Sequence, residues 1–179
     1  DFNHYKNHIG VFQEPVLTIL SSTFLDTLPK EELRSGFAEV IKHALISDAS
    51  MWKEISSRAL GEQNWDKLLL HSAHFKYSII AQDPKEKGIR KILNAGHTIG
   101  HALESFLLKN GRKVMHGEAV AAGLIAEAFL AQERGLLSLG DLNNIKNYIT
   151  QVFDKVSFNM TEIESVAAYA LQDKKNKDN

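Results

Sequence analysis

Helix-type spacing of apolar residues extends through most of this chain and constrains its fold more than any other feature. The run from Phe37 to Leu45 repeats apolar side chains at the three- and four-residue spacing of a helix that faces a core. None of the three prolines follows Pro84, so no proline interrupts helices in the second half of the chain. The spacing predicts a first helix that Pro29 begins and Thr27 caps. Further helices are predicted at about residues 49–60, 64–82, 97–109, 116–134, 138–152 and 161–171. Three glycines are predicted to mark breaks: Gly111, Gly135 and Gly140.

One short segment departs from this pattern. Val16–Leu20 is apolar, partly β-branched and follows Pro15, which predicts a strand. A single strand has no partner in a helical chain, so we expect it to complete a sheet built from residues outside this chain. The chain also contains no Gly-rich strand–turn–helix segment that could hold a pyrophosphate. The predicted fold is therefore mainly α, with one strand that belongs to a sheet elsewhere.

Composition excludes several classes of partner. Lys and Arg number 21 against 22 Asp and Glu, giving a net charge of −1, so nothing favours nucleic acid or an anionic membrane. There is no cysteine, which excludes disulfides and thiolate metal sites and fits a reducing cytoplasm. No apolar run approaches the roughly 18 residues that would span a bilayer. We expect a cytoplasmic protein without nucleic-acid or membrane partners.

Three short runs carry candidate metal chemistry. In LNAGHTIGHALE, His97 and His101 stand four residues apart after a Gly-containing turn, which puts both rings on one helix face. In MHGEA, His116 begins an Ala-rich helical segment, and in RSGFAEVIKH, Glu39 and Lys42 lie one helical turn apart. Two imidazoles and a carboxylate from separate helices form a catalytic-type site that suits Zn²⁺ or Co²⁺ and leaves one coordination position open. Spacing alone makes His97 and His101 the first pair, with Glu39 or His116 as third ligand.

Other histidines carry no predicted chemistry. His43 follows Lys42, so it points about 100° away around the helix and is expected to be packed or solvated. His71 and His74 share one face of the predicted helix at residues 64–82, and no role is predicted for either of them.

The three runs, in this order, resemble the 3-dehydroquinate synthase family. The resemblance covers most of the chain, from YKNHIG at Tyr5 to the DKK block at Asp173. In that family these blocks lie in a largely helical C-terminal half, which a nucleotide-binding half precedes. The resemblance implies that residues 1–26 are a remnant of, or a connection to, an absent N-terminal NAD-binding domain. It implies that residues 27–179 form the helical metal- and substrate-binding domain.

The resemblance also implies roles for individual residues. Its metal ligands are Glu39, His97 and His116, with His101 beside the substrate. The implied catalytic residues are Lys42, Lys76, Arg90, Asn94 and His101. The implied substrate-binding residues are Asn7, Lys174 and Lys175. The implied cofactor-binding residues are Lys6, Phe24, Leu25, Asp26 and Thr27, although apolar character alone predicts Phe24 and Leu25 as core. Glu104 is a candidate to orient an imidazole, and Glu86 a candidate to position the basic groups.

The family's reaction is the activity that the resemblance implies. It converts 3-deoxy-D-arabino-heptulosonate 7-phosphate into 3-dehydroquinate with release of phosphate, a carbon–oxygen lyase step of the shikimate pathway to chorismate and the aromatic amino acids. The implied cofactors are Zn²⁺ or Co²⁺ and, in the full-length protein, NAD; the implied assembly is a homodimer. Lys42, Lys76 and Arg90 favour a sugar acid phosphate, because carboxylate and phosphate both call for cations. Three alternatives remain open: another sugar-phosphate cyclase, a metal-dependent polyol dehydrogenase, and an inactive metal-binding helical module when this chain is isolated.

Overall fold

The computed structural model describes residues 15–155 and 157–172, and this part of the chain is mainly α-helical. The α-helices are α1 (Lys30–Ser47), α2 (Ala49–Ser56), α3 (Trp65–Gln82), α4 (His97–Lys109), α5 (His116–Glu133), α6 (Leu139–Val152) and α7 (Met160–Gln172). Short 3₁₀ helices span Ser22–Thr27, Leu60–Glu62 and Ile89–Asn94. The mainly α prediction is confirmed. The predicted site residues Lys6, Asn7, Lys174 and Lys175 lie outside the described residues.

The predicted strand is not formed in this structure. Residues 16–20 adopt neither helix nor strand, and their side chains are exposed. A strand needs a neighbour to accept its backbone hydrogen bonds, and no described segment of this chain is a strand. That the segment completes a sheet outside this chain therefore stays a prediction.

Three local predictions were wrong. Thr27 does not cap α1, because it ends a 3₁₀ helix and Pro29 occupies the N-cap position without a side-chain bond. Gly140 lies inside α6 rather than at a break, in the first turn, where Ser138 caps the helix by accepting from the Asp141 N–H at 3.0 Å. The helix predicted at about residues 49–60 ends earlier, because α2 stops at Ser56.

The core is built around α1 and α5. From α1, Phe37, Ala38 and Ile41 are fully buried in a cluster that α2, α3, α5 and α6 share. A second cluster joins α4, α5 and α7 around Phe106 and Leu107. Helix α5 contributes to both clusters, which explains its Ala- and Gly-rich sequence: a helix apolar on several faces belongs inside a protein. No described helix combines the length and apolar character needed to cross a bilayer.

Two glycines of α5 allow the close helix contacts that shape the site. A Cβ at Gly117 would lie 2.0 Å from the Ser35 carbonyl oxygen on α1, and a Cβ at Gly123 would lie 2.0 Å from the Gly96 carbonyl oxygen before α4. Both obstacles are backbone atoms, so any larger residue would force the helices apart. The Gly117 N–H also donates to Ser35 Oγ at 3.0 Å. The Gly117 contacts hold the first turn of α5 against α1, and the Gly123 contact holds its next turns against the start of α4.

Candidate metal and anion site

Three imidazoles converge where α4 and α5 begin. His97 and His101 stand one turn apart on α4, and His116 is the first residue of α5. One ring nitrogen from each lies within 4.8 Å of those of the other two. The ring centroids are 5.4 to 5.7 Å apart, and all three residues are half-buried. This spacing is short enough for one metal ion to bind all three rings.

Glu39 of α1 places a carboxylate beside His97, at the edge of this group of nitrogens rather than within it. Its Oε1 lies 3.4 Å from His97 Nε2, is shielded from solvent and has no hydrogen-bond partner. Lys42 Nζ donates to the other oxygen, Oε2, at 2.7 Å. Burial alone would raise the pKa of Glu39, but the charge and hydrogen bond of Lys42, with His97 and His43, hold that pKa below its usual range. An ionised, unpartnered oxygen facing an imidazole nitrogen fits a divalent cation such as Zn²⁺.

In two of the three rings, Nδ1 already contacts an oxygen atom of the protein. His97 Nδ1 is 3.1 Å from the Ala95 carbonyl oxygen, and His116 Nδ1 is 3.2 Å from Glu104 Oε2. Histidines that bind metals usually hold an oxygen in this way, which leaves Nε2 for the ion. Burial first, then the Lys42 charge, lowers the pKa of His97 and favours its neutral, metal-binding form. The pattern is compatible with His97 and His116 as ligands, and His101 is equally close to the other two rings.

All five predicted catalytic residues line one cavity of about 410 Å³ with these donors. Its lining consists of Glu39, Lys42, His43, Lys76, Glu86, Arg90, Leu93, Asn94, His97, His101 and His116. The predicted metal donors and the predicted cations therefore face the same space. Their individual roles stay predictions.

The loop before α4 fixes two of these residues. Asp83 accepts backbone N–H groups, including that of Arg90 at 3.1 Å, and the Arg90 side chain donates through Nη1 to the Pro84 carbonyl at 2.7 Å. Asn94 donates to Glu86 Oε1 at 2.8 Å. Glu86 has φ 55°, a left-handed conformation that is uncommon outside glycine and asparagine. Arg90 and Asn94 lie on the 3₁₀ helix Ile89–Asn94, so they are more than one of its turns apart.

The two lysines of the cavity differ in exposure. Lys42 is only 2% exposed and is paired with Glu39, whereas Lys76 on α3 is exposed. Lys42 is thus fixed beside the metal donors, and Lys76 lies at the open side of the cavity. This arrangement gives the cavity positive charge at two depths.

The described part of the predicted cofactor-binding group lies apart from this cavity. Its described members are Phe24, Leu25, Asp26 and Thr27, which lie on the 3₁₀ helix Ser22–Thr27. None of these four residues lines the cavity. Phe24 is 74% exposed and Leu25 is half-buried, so the prediction that Phe24 belongs to the core was wrong. Apolar character alone does not show whether a side chain is covered.

His43 is a cavity residue for which the sequence predicts no role. It is 3% exposed, its Nδ1 is 2.5 Å from Ser72 Oγ on α3, and its ring meets Phe75 edge-on. Of the two expected states, packed or solvated, the structure shows the packed one, and the place of His43 beside Glu39 was missed. The four-residue spacing from Glu39, rather than the one-residue spacing from Lys42, was the signal. Burial, with Lys42 as the next cause, lowers the pKa of His43 to about 4.

An ion-pair network that the sequence did not indicate holds the start of α5. Arg34 of α1 pairs through Nη2 with Glu118 Oε1 at 2.5 Å and through Nη1 with Asp154 Oδ2 at 2.9 Å. Glu118 also accepts from the Met115 backbone N–H at 3.2 Å. The network ties α1 to the residues on either side of His116.

Comparison with known proteins shows which family this chain resembles. Residues 36–176 match the family model for the 3-dehydroquinate synthase C-terminal region. The chain is 36% identical over 179 residues to 3-dehydroquinate synthase of Parabacteroides distasonis, covering 98% of this chain and 51% of that protein. It is 38% identical over 175 residues to the same enzyme of Acinetobacter baumannii, covering 95% and 48%. The chain thus spans about half the length of these relatives.

Two solved structures share the fold. One is 2-epi-5-epi-valiolone synthase from Streptomyces hygroscopicus with NAD⁺ and Zn²⁺ bound, at a TM-score of 0.81 and 22% identity over 99% of this chain and 51% of that chain. The other is 2-deoxy-scyllo-inosose synthase complexed with carbaglucose-6-phosphate, NAD⁺ and Co²⁺, at a TM-score of 0.68 and 25% identity over 86% and 43%. Both are similar to this chain across about half of their own length.

Proposed function

The chain belongs to the 3-dehydroquinate synthase family, and we propose that it is the metal- and substrate-binding half of an enzyme that converts 3-deoxy-D-arabino-heptulosonate 7-phosphate into 3-dehydroquinate and phosphate. In this proposal residues 27–179 form that half, and residues 1–26 connect it to an NAD-binding half. The observation that carries the proposal is the shared cavity, in which potential metal donors and three cationic side chains face one space. A cytoplasmic homodimer that serves the shikimate pathway is part of the same proposal.

Glu39, His97 and His116 are the proposed metal ligands. The unpartnered Glu39 Oε1 beside His97 Nε2 supports the first two, and the contact of Glu104 with His116 Nδ1 supports the third. His101 then lies beside the bound substrate. When bound, Zn²⁺ or Co²⁺ would supply a Lewis acid for substrate oxygens, and NAD⁺ would supply reversible hydride transfer.

The side chains of this chain would bind and orient the substrate. Carboxylate and phosphate lose water on entering the cavity, so each needs charge-assisted hydrogen bonds in return. Arg90, anchored at Pro84, offers a planar fork that Lys cannot reproduce. Lys42 and Lys76 add charge at the buried and the open side of the cavity. Asn94 is held by Glu86, so its amide can orient a hydroxyl group of the substrate.

A second candidate is another sugar-phosphate cyclase. The likeness to 2-deoxy-scyllo-inosose synthase, which was solved with carbaglucose-6-phosphate, favours it. Such a ligand carries a phosphate and no carboxylate, so one anion would suffice. The three cationic side chains around the cavity favour the first candidate, whose substrate carries two anionic groups, a carboxylate and a phosphate.

Phosphate release decides between these candidates. The full-length protein that contains this chain would be supplied with NAD⁺ and Zn²⁺ and assayed with 3-deoxy-D-arabino-heptulosonate 7-phosphate and with glucose 6-phosphate. We expect phosphate release from the acid only. Turnover of glucose 6-phosphate without turnover of the acid would contradict the proposal, and NAD⁺ reduction by a neutral polyol would indicate a dehydrogenase instead. The same assay of the 179-residue chain alone is expected to show no turnover.

A further inference from the structure

His43 stands behind the carboxylate that we propose as a metal ligand. It follows Glu39 by one turn of α1, and its Nε2 lies 4.0 Å from Glu39 Oε2. That nitrogen is shielded from solvent and has no hydrogen-bond partner. The ring is fixed on its other side by Ser72 Oγ, 2.5 Å from Nδ1, and by Phe75, with ring centroids 5.5 Å apart. The open nitrogen therefore points toward Glu39 in a ring that packing holds still.

The partners of the ring determine where its proton lies. A neutral imidazole carries one N–H and one lone pair, and a serine hydroxyl can match either. The carboxylate of Glu39 can only accept, so a lone pair on His43 Nε2 would be repelled and an N–H attracted. The favoured arrangement has Ser72 donating to Nδ1 and Nε2 carrying the proton toward Glu39.

We infer that His43 and Ser72 are positioning residues. Ser72 fixes the His43 ring, and the ring restricts rotation of the Glu39 carboxylate at Oε2, so that Oε1 stays turned toward His97 and the metal. The inference rests on the proposed metal centre. Lys42 is the other group on Oε2, at 2.7 Å. One anchor alone lets a carboxylate pivot about it, whereas a second dipole on the same oxygen restricts that rotation. Outer groups of this kind commonly change metal affinity by about 10- to 100-fold when they are removed.

Cobalt binding to the 179-residue chain tests the inference. Co²⁺ would be titrated by its visible absorption into wild type, His43→Phe, Ser72→Ala and the control Ser78→Ala. Phe keeps a ring against Phe75 but has no N–H. Ser78 is an exposed serine on α3, the helix that also carries Ser72, and its hydroxyl donates to the Phe75 backbone carbonyl. We expect roughly tenfold weaker Co²⁺ binding for His43→Phe and Ser72→Ala, and wild-type affinity for Ser78→Ala.

Two further readouts separate positioning from simple packing. A structural role would lower Tm of the metal-free protein and leave Co²⁺ affinity unchanged, and that result would overturn the inference. His43→Gln, which can keep a donor toward Glu39, is expected to bind Co²⁺ more tightly than His43→Phe. Equal affinities of wild type and His43→Phe would also overturn it.

The proton position can be measured without metal. Long-range ¹⁵N–¹H spectra of the metal-free chain at neutral pH should show a protonated Nε2 and an unprotonated Nδ1 for His43. A protonated Nδ1 overturns the inference, whatever the cobalt result. The metal centre has its own test in the same titration, because His97→Ala should abolish Co²⁺ binding. If it does not, the proposed metal ligands fail while the His43 tautomer is still decided.

Discussion

Replacing Gly117 by Ala should damage both the fold and the metal site. A Cβ at this position would lie 2.0 Å from the Ser35 carbonyl oxygen, and real contacts of this kind essentially never fall below 3.0 Å. The first turn of α5 must therefore move from α1 by at least 3.0 − 2.0 = 1.0 Å. Overpacking costs about 1–3 kcal/mol, and losing the hydrogen bond from the Gly117 N–H to Ser35 Oγ costs about 1 kcal/mol.

The expected loss for Gly117→Ala is thus about 2–4 kcal/mol, which lowers Tm by about 5–15 °C in a chain of this size. The same movement separates His116 from Glu39. Because metal–ligand distances tolerate a deviation of only about 0.2 Å, Zn²⁺ affinity should fall at least roughly tenfold.

Thermal unfolding followed by circular dichroism and a zinc competition titration would measure the two effects. The matched control is Gly36→Ala, because Gly36 is an exposed position inside α1 and its Cβ would meet nothing within 4 Å. That variant should gain about 0.5–1 kcal/mol by losing a helical glycine. A Gly117→Ala protein as stable as wild type, with unchanged zinc affinity, would refute the close-packing argument.

Three more changes are expected. Arg90→Lys in the full-length enzyme should lower kcat/KM roughly ten- to a hundred-fold, or about 1.4–2.7 kcal/mol, in steady-state assays of phosphate release, because the bidentate fork is lost; unchanged kinetics would remove Arg90 from the anion site. The pKa of His43 is lowered to about 4, so the unfolded chain binds the extra proton first as pH falls. Stability of the metal-free chain should therefore fall between about pH 6.5 and pH 4, by at most about 3 kcal/mol, and His43→Phe should flatten that slope in urea titrations. Because the sequence holds no Gly-rich pyrophosphate loop, calorimetry on the chain should detect no micromolar NAD⁺ binding.

The helices were predictable because their signals are local. Helices α4 and α5 begin at the predicted residues His97 and His116, and Gly111 and Gly135 follow their ends in the left-handed conformation. At the early end of α2, the hydroxyl groups of Ser56 and Ser57 donate to carbonyls of the last turn. Such bonds compete with the helix, but a sequence does not show which serines will form them.

The site was only partly predictable. The spacing of His97 and His101 predicts a shared face, yet the approach of His116 depends on how α5 crosses α1 and α4. That crossing is allowed by the contacts of Gly117 and Gly123 with backbone atoms far away in sequence, which no local pattern contains. Spacing offered Glu39 or His116 as a third ligand, the resemblance implied that both are ligands, and the fold supplied the cavity that they share.

Zinc content is the most direct test of the proposed metal centre. Wild-type full-length protein and its single alanine variants at three histidines would be purified, stripped and reloaded, and the zinc bound per chain measured. We expect one Zn²⁺ per chain for wild type and for His101→Ala, and none for His97→Ala or His116→Ala. Loss of zinc in His101→Ala together with its retention in His116→Ala would show that His101, and not His116, is the ligand.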